Sequence, residues 1–144
     1  MDAFDAEALI YAAVPNHPLG KRVRRLLSAA ATSPDGTGIG SVLLIPELLS
    51  KPMREGATTE MTELATLLGR LILLPVDEHV AGLAAALGSS YRLRAADAVH
   101  LATAVAAGAD RFITNNQSDF PTTISEIEID RKSTRLNSSH IAVS

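Results

Sequence analysis

The sequence predicts an α/β fold built on a largely parallel sheet, and three observations carry that reading. Short apolar segments bounded by turn residues recur at 39–44, 71–74 and 111–113. Between them lie longer stretches with apolar residues at i, i+3, i+4 and i+7, the spacing of one helix face. Acidic residues stand just after these strand segments or near helix starts, at the edge where such sheets gather their sites. Strands that alternate with amphipathic helices need crossover connections, hence parallel pairing, and those crossovers should be right-handed.

Taken in order, Ala3-Phe4 is the stub of a first strand that ends at Asp5. Ala6 to Ala13 reads as a short helix stopped by Pro15, because proline disfavours helical backbone in the residue before it. Pro18 suits the first turn of the next helix, where a missing N–H costs nothing. Leu19, Val23, Leu26, Leu27 and Ala30 repeat there at helical spacing, and Lys21, Arg22, Arg24 and Arg25 read as its solvated face. Thr32 to Gly38 is a loop by composition. Ile39 to Leu44 reads as a short buried strand. Ser41 stands where that strand hands over to a helix bearing Pro46, Glu47, Leu48 and Leu49, which Pro52 closes.

Thr58 or Thr59 is the expected cap of a further helix with Met61, Leu64, Ala65 and Leu68 on its apolar face. Leu71 to Leu74 reads as a second buried strand, and Asp77 as the N-cap of a helix with Val80, Leu83, Ala84 and Leu87 on one side. In the next helix Ala98, Leu101, Ala102 and Val105 form the apolar stripe, and Gly108 is a natural residue just past its end. Asp97 lies off that stripe, near the N-terminus, where the helix dipole favours a negative charge. Arg111-Phe112-Ile113 forms another strand, and the alternation over Glu126 to Ile129 suits a final edge strand. From Arg131 to Ser144 neither period continues. Residues 1–130 are therefore the folded domain, and 131–144 a non-native-looking or disordered tail.

A chain of 144 residues predicts one domain able to bury a real core. The 47% apolar and 20% charged fractions fit a compact globule, and with only 3% aromatics the core must come from Leu, Ala, Val and Ile. The absence of Cys excludes disulfides, thiolate metal sites and a cysteine nucleophile, and fits a reducing cytoplasm. A net charge of −3 excludes holding nucleic acid by bulk charge; a local basic face or a bound metal would be needed. No apolar run is long enough to span a bilayer, and no basic-then-apolar leader opens the sequence, so a cytoplasmic location is expected.

Four acidic residues remain as candidates: Asp5, Glu47, Asp97 and Asp119, the last in the loop Thr114 to Phe120. Carboxylates gathered at one sheet edge repel and raise each other's pKa, and a hard divalent cation relieves this. Mg²⁺ takes one or two carboxylates directly and keeps several waters; it activates water and screens a phosphodiester under attack. With no Cys and no paired His motif, zinc is the weaker choice. Glu7 reads as surface charge, His100 as a packed or hydrogen-bonded helix histidine, and Gly36/Gly38/Gly40 lacks the Lys-Ser/Thr of a phosphate loop.

Four segments, in this order, resemble the PIN domain family, specifically its VapC-like branch of toxin–antitoxin ribonucleases. They are Asp5 to Tyr11, Ser41 to Leu49, Leu93 to Ala104, and Phe112 to Asn116 with Asp119-Phe120, together spanning residues 3 to about 130. The resemblance implies a three-layer α/β/α sandwich with an acidic, metal-binding site that cleaves RNA. Asp5, Glu47 and Asp97 match the family's three core acidic positions. The fourth is less regular: some members carry Asp directly after Thr-Asn, where this chain has Asn116. Asp119 is taken as the fourth acid, with Asn116 as a polar helper.

By resemblance, Asp5, Asp97 and Asp119 hold Mg²⁺ or Mn²⁺ and Glu47 completes the shell or orients water, while Ser41 and Thr114 order the site by hydrogen bonding. Arg92 and Arg94 are the better candidates for phosphate contact, ahead of the basic face around Lys21. The resemblance also implies a cognate antitoxin and a homodimer as the working unit. The alternative is a catalytically silent PIN-like module that binds RNA or a protein; the presence of all four acids counts against it.

Overall fold

The computed structural model describes residues 1–32, 38–115 and 118–131, apart from the side chains at 19, 31 and 32. Expectations for Leu19 in its helix stripe, for most of the loop before Gly38, for Asn116 and for the tail from 132 fall outside the described residues.

The elements run β1 (Asp2–Phe4), α1 (Ala6–Ala13), α2 (Pro18–Thr32), β2 (Ile39–Ser41), α3 (Leu44–Glu55), α4 (Thr58–Leu68), β3 (Ile72–Leu74), α5 (Glu78–Tyr91), α6 (Ala95–Ala106), β4 (Arg111–Ile113) and β5 (Glu128–Asp130). The sheet order is β3-β2-β1-β4-β5, and every neighbouring pair is parallel. The chain steps outward from β1 to β3, then crosses back past β1 to β4. Right-handed crossovers require the helices of those two journeys to lie on opposite faces, and they do. Side chains alternate across each strand, so Phe4 and Ile113 join Leu9, Leu44 and Leu64 in one core under α1 to α4. Ala3, Ile39 and Phe112 face the other way, into a second core with Ala84, Leu101 and Phe120 under α5 and α6. The result is a three-layer α/β/α sandwich, as expected.

Several local readings needed tertiary information. The strand after the first loop stops at Ser41 rather than Leu44, because the Leu43 N–H bonds back to Ser41 Oγ at 3.1 Å and turns the chain into α3. Pro52 does not close α3. It lies inside the helix, which runs on to Glu55 and ends at Gly56 in the left-handed region, φ 65°. Leu44, Leu48 and Pro52 form the buried face of α3, so burial of the ring offsets the lost backbone bond. Neither threonine caps α4: Ala57 occupies the cap without a side-chain bond and Thr58 is already helical. Its buried face is Leu64, Leu67 and Leu68, with Ala65 exposed.

The strand over 72–74 is an outer edge of the sheet, with Ile72 54% exposed; strand order, not composition, decides that. The basic face of α2 is only partly solvated. Arg22 pairs with Asp130 at 2.9 Å and Arg24 donates to the Ala12 carbonyl at 3.1 Å, leaving Lys21 and Arg25 exposed. The stripe on α6 behaves as read: Ala98, Leu101 and Ala102 are buried, and these small side chains let α6 lie close against the sheet. Among the described residues no helix is long and apolar enough to cross a membrane.

Candidate active site

The centre of the candidate site follows from strand register. The pairing of Phe4 with Ile113 sets the next residues, Asp5 and Thr114, side by side at the carboxyl edge of the two central strands. This is also where the sheet order reverses, the place at which open α/β sheets leave a crevice. Asp5 is the N-cap of α1, its Oδ1 accepting from the Ala6 N–H at 2.8 Å. Its Oδ2 accepts from Thr114 Oγ1 at 2.7 Å. The residue is 2% exposed. Burial pushes its carboxyl up to about 6; the Thr114 bond, the His100 ring and the Ala6 bond oppose this, and the charge of Asp97 adds to it.

The other acids arrive on three further elements. Ser41, buried at the end of β2, holds the turn into α3 and so aims Glu47, in the first turn of that helix. Asp97 sits in the first turn of α6. Its carboxyl is raised first by partial burial, then by Asp119, with Glu47 adding to the rise and His100 and Arg94 opposing it. Asp119 is positioned by its neighbour Phe120, which is fully buried and packs edge-on against Phe112 with ring centroids 5.1 Å apart. Arg94 precedes α6 and Arg92 caps α5 in the left-handed region, φ 55°; both are exposed, and Arg94 lies within electrostatic reach of Asp97.

The structure thus brings Asp5, Glu47, Asp97 and Asp119 into one electrostatic neighbourhood. It does not place three of them in one coordination shell: among the described residues no group of three or more His, Asp or Glu side chains stands close enough to hold a metal ion. The donor set nevertheless fits a hard cation. All four acids offer oxygen, and Mg²⁺ needs only one or two carboxylates in direct contact, with water completing its shell. Asp5, buried and raised, is a carboxylate whose ionised form a nearby cation would favour.

One partner was not legible in the sequence. Glu47 Oε1 is hydrogen-bonded to His100 Nε2, from α3 to α6. The available signal was the i, i+3 spacing of Asp97 and His100, which puts the ring on the same side of α6 as the acid.

Thr114→Val tests the hydrogen bond at the centre. A bond to a charged group contributes roughly 1.5–3 kcal/mol, equivalent to about 1–2 pKa units. Because the hydroxyl favours the ionised form, its removal should move the Asp5 titration upward by that amount, as read by carboxyl ¹³C shifts. An unmoved titration refutes the assignment.

Comparison with known proteins follows the same lines. A sequence model of the PIN domain matches residues 3–123. No curated protein sequence matches the chain. Among solved structures, a toxin–antitoxin complex from Klebsiella pneumoniae is 21% identical and covers 90% of this chain and 100% of its own, with a TM-score of 0.65. VapBC2 from Rickettsia felis, bound to a DNA fragment from its promoter, is 18% identical and covers 90% of this chain and 96% of its own, with a TM-score of 0.73.

Proposed function

Because this chain belongs to the PIN domain family, we propose that it is a Mg²⁺- or Mn²⁺-dependent endoribonuclease, the toxin of a toxin–antitoxin pair. The observation that carries the reading is the meeting of four acids from four elements at the carboxyl edge of the sheet, one of them buried with its carboxyl pushed up to about 6. In this proposal Asp5, Asp97 and Asp119 hold the cation, directly or through water, and Glu47 completes the shell or orients the attacking water. The bound cation supplies activation of that water and screening of the phosphodiester charge. Thr114 keeps Asp5 ionised and oriented, Ser41 fixes the turn that aims Glu47, and Arg92 and Arg94 contact backbone phosphates beside the start of α6. A cognate antitoxin is supported by the similarity to the Klebsiella pneumoniae structure, which is described as a toxin–antitoxin complex. A homodimer working in the cytoplasm completes the proposal; two subunits would pool basic residues around one RNA.

The test is incubation of the purified protein with RNA and Mg²⁺ or Mn²⁺, comparing wild type, Asp97→Asn and EDTA. Loss of a ligand should exceed the roughly 100-fold loss typical of an outer partner, and EDTA should match it. Cleavage surviving Asp97→Asn sinks the site. One alternative is a silent PIN-like module; RNA that is bound but left intact under every metal identifies it.

A further inference from the structure

His100 lies at the meeting point of the acids, yet the ribonuclease reading gives it no task. It is 2% exposed, on the face of α6 that also carries buried Leu101 and Ala104, where an aliphatic side chain would pack without polar cost. Its Nε2 meets Glu47 Oε1 on a different helix, and its ring lies within electrostatic reach of both Asp5 and Asp97. Nδ1 is buried with no partner among the described residues. A ring that carries its proton on Nε2 donates to the carboxylate and leaves Nδ1 as a bare acceptor, so the Glu47 bond is what offsets burial of this polar group. Glu47 gains from the same bond. Its side chain is 32% exposed and, untethered, would spread over several rotamers in water, so fixing it in one costs side-chain entropy.

We propose that His100 is a positioning residue: its Nε2–H ties the Glu47 carboxylate to α6, so that Glu47 faces Asp97 rather than solvent. The tether prepays the ordering of Glu47 and sets the acid from α3 in register with the acid of α6. Partners that orient a ligand in this way typically contribute 10- to 100-fold in metal affinity or activity. The activity arm of this inference rests on the ribonuclease reading; the binding arm does not.

The experiment compares wild type with His100→Leu, which fills the space without a donor, and His100→Gln, whose amide N–H can replace Nε2–H. Each is also made in a Glu47→Ala background. Mn²⁺ affinity is measured by calorimetry and RNA cleavage in parallel. His100→Leu should weaken Mn²⁺ binding and cleavage by about 10- to 100-fold, His100→Gln should recover most of this, and His100→Leu should add little once Glu47 is absent. Unchanged Mn²⁺ affinity in His100→Leu, or an equal loss in the Glu47→Ala background, overturns the tether. If His100→Leu does not fold, His100→Ala replaces it in both backgrounds: His100→Gln must outperform it while Glu47 is present and match it once the acceptor is gone. Wild-type protein that binds Mn²⁺ but cleaves no RNA removes the ribonuclease reading and leaves the tether to the binding data. Wild-type protein that binds no Mn²⁺ overturns both.

Discussion

Replacing Asp5 with Asn should make the protein more stable and inactive. Burial pushes the folded carboxyl up to about 6, from an ordinary value of 3.8. Between these values the folded state keeps a proton that the unfolded chain has released, so stability falls as pH rises from about 4 to about 6 and does not recover above that. A shift of about two units corresponds to about 3 kcal/mol, lost in full near pH 7.5 and reduced to about 1 kcal/mol near pH 4.5. Asn carries no charge to bury. It is as good an N-cap as Asp, and its amide can donate to the Thr114 hydroxyl that now donates to Asp5. Asp5→Asn should therefore raise the melting temperature by roughly 10 °C at pH 7.5, with a smaller gain at pH 4.5, while divalent-dependent RNA cleavage disappears. A variant less stable than wild type at pH 7.5 refutes the burial argument. Stability gained with activity lost is the pattern of a site held in place against its own electrostatics. The same titration predicts the wild-type profile: cation affinity and cleavage should fall as pH drops below about 6.

Gly20→Ala should have the opposite sign from its helix propensity. Gly20 lies near the start of α2, and on propensity alone alanine would stabilise that helix by about 1 kcal/mol. A Cβ there would stand 2.0 Å from the Tyr11 carbonyl oxygen, 2.8 Å from its carbon and 3.1 Å from Ala12 Cα. These are backbone atoms of α1, so no rotamer change relieves the overlap. The helices must separate, which costs on the order of 3 kcal/mol and strains the Arg24 bond to the Ala12 carbonyl. Since α1 is capped by Asp5, moving it also disturbs the acid at the centre of the candidate site. Urea unfolding should show the loss, and wild-type stability would sink the close-approach argument.

Much of this architecture was legible one segment at a time. Pro15 after α1, Pro18 at the start of α2, Asp77 before α5 and Gly108 after α6 are local signals, each acting over a turn or less, and the elements lie where those signals put them. The alternation of strands and helices implied a parallel sheet with sites at its carboxyl edge. Local rules failed where a residue's surroundings outweighed its own preference. Pro52 stays within α3 because its ring is buried, Thr58 cedes the cap to Ala57, and 72–74 is an edge despite its apolar composition. For the candidate site the four acids could be chosen from sequence and resemblance, but their electrostatic coupling and the histidine among them could not.

By itself, then, the sequence determined the order and kind of the elements and the acids that stand at their ends, because caps, prolines and hydrophobic period act on neighbouring residues. Tertiary structure alone decided that β1 is the central strand, that Asp5 is buried beside Thr114, that α1 and α2 touch at a glycine, and that Glu47 is held by His100. Asp5 and Thr114 are 109 positions apart, and Glu47 and His100 are 53 apart. No local preference links such pairs; the register of the sheet and the packing of its two faces do.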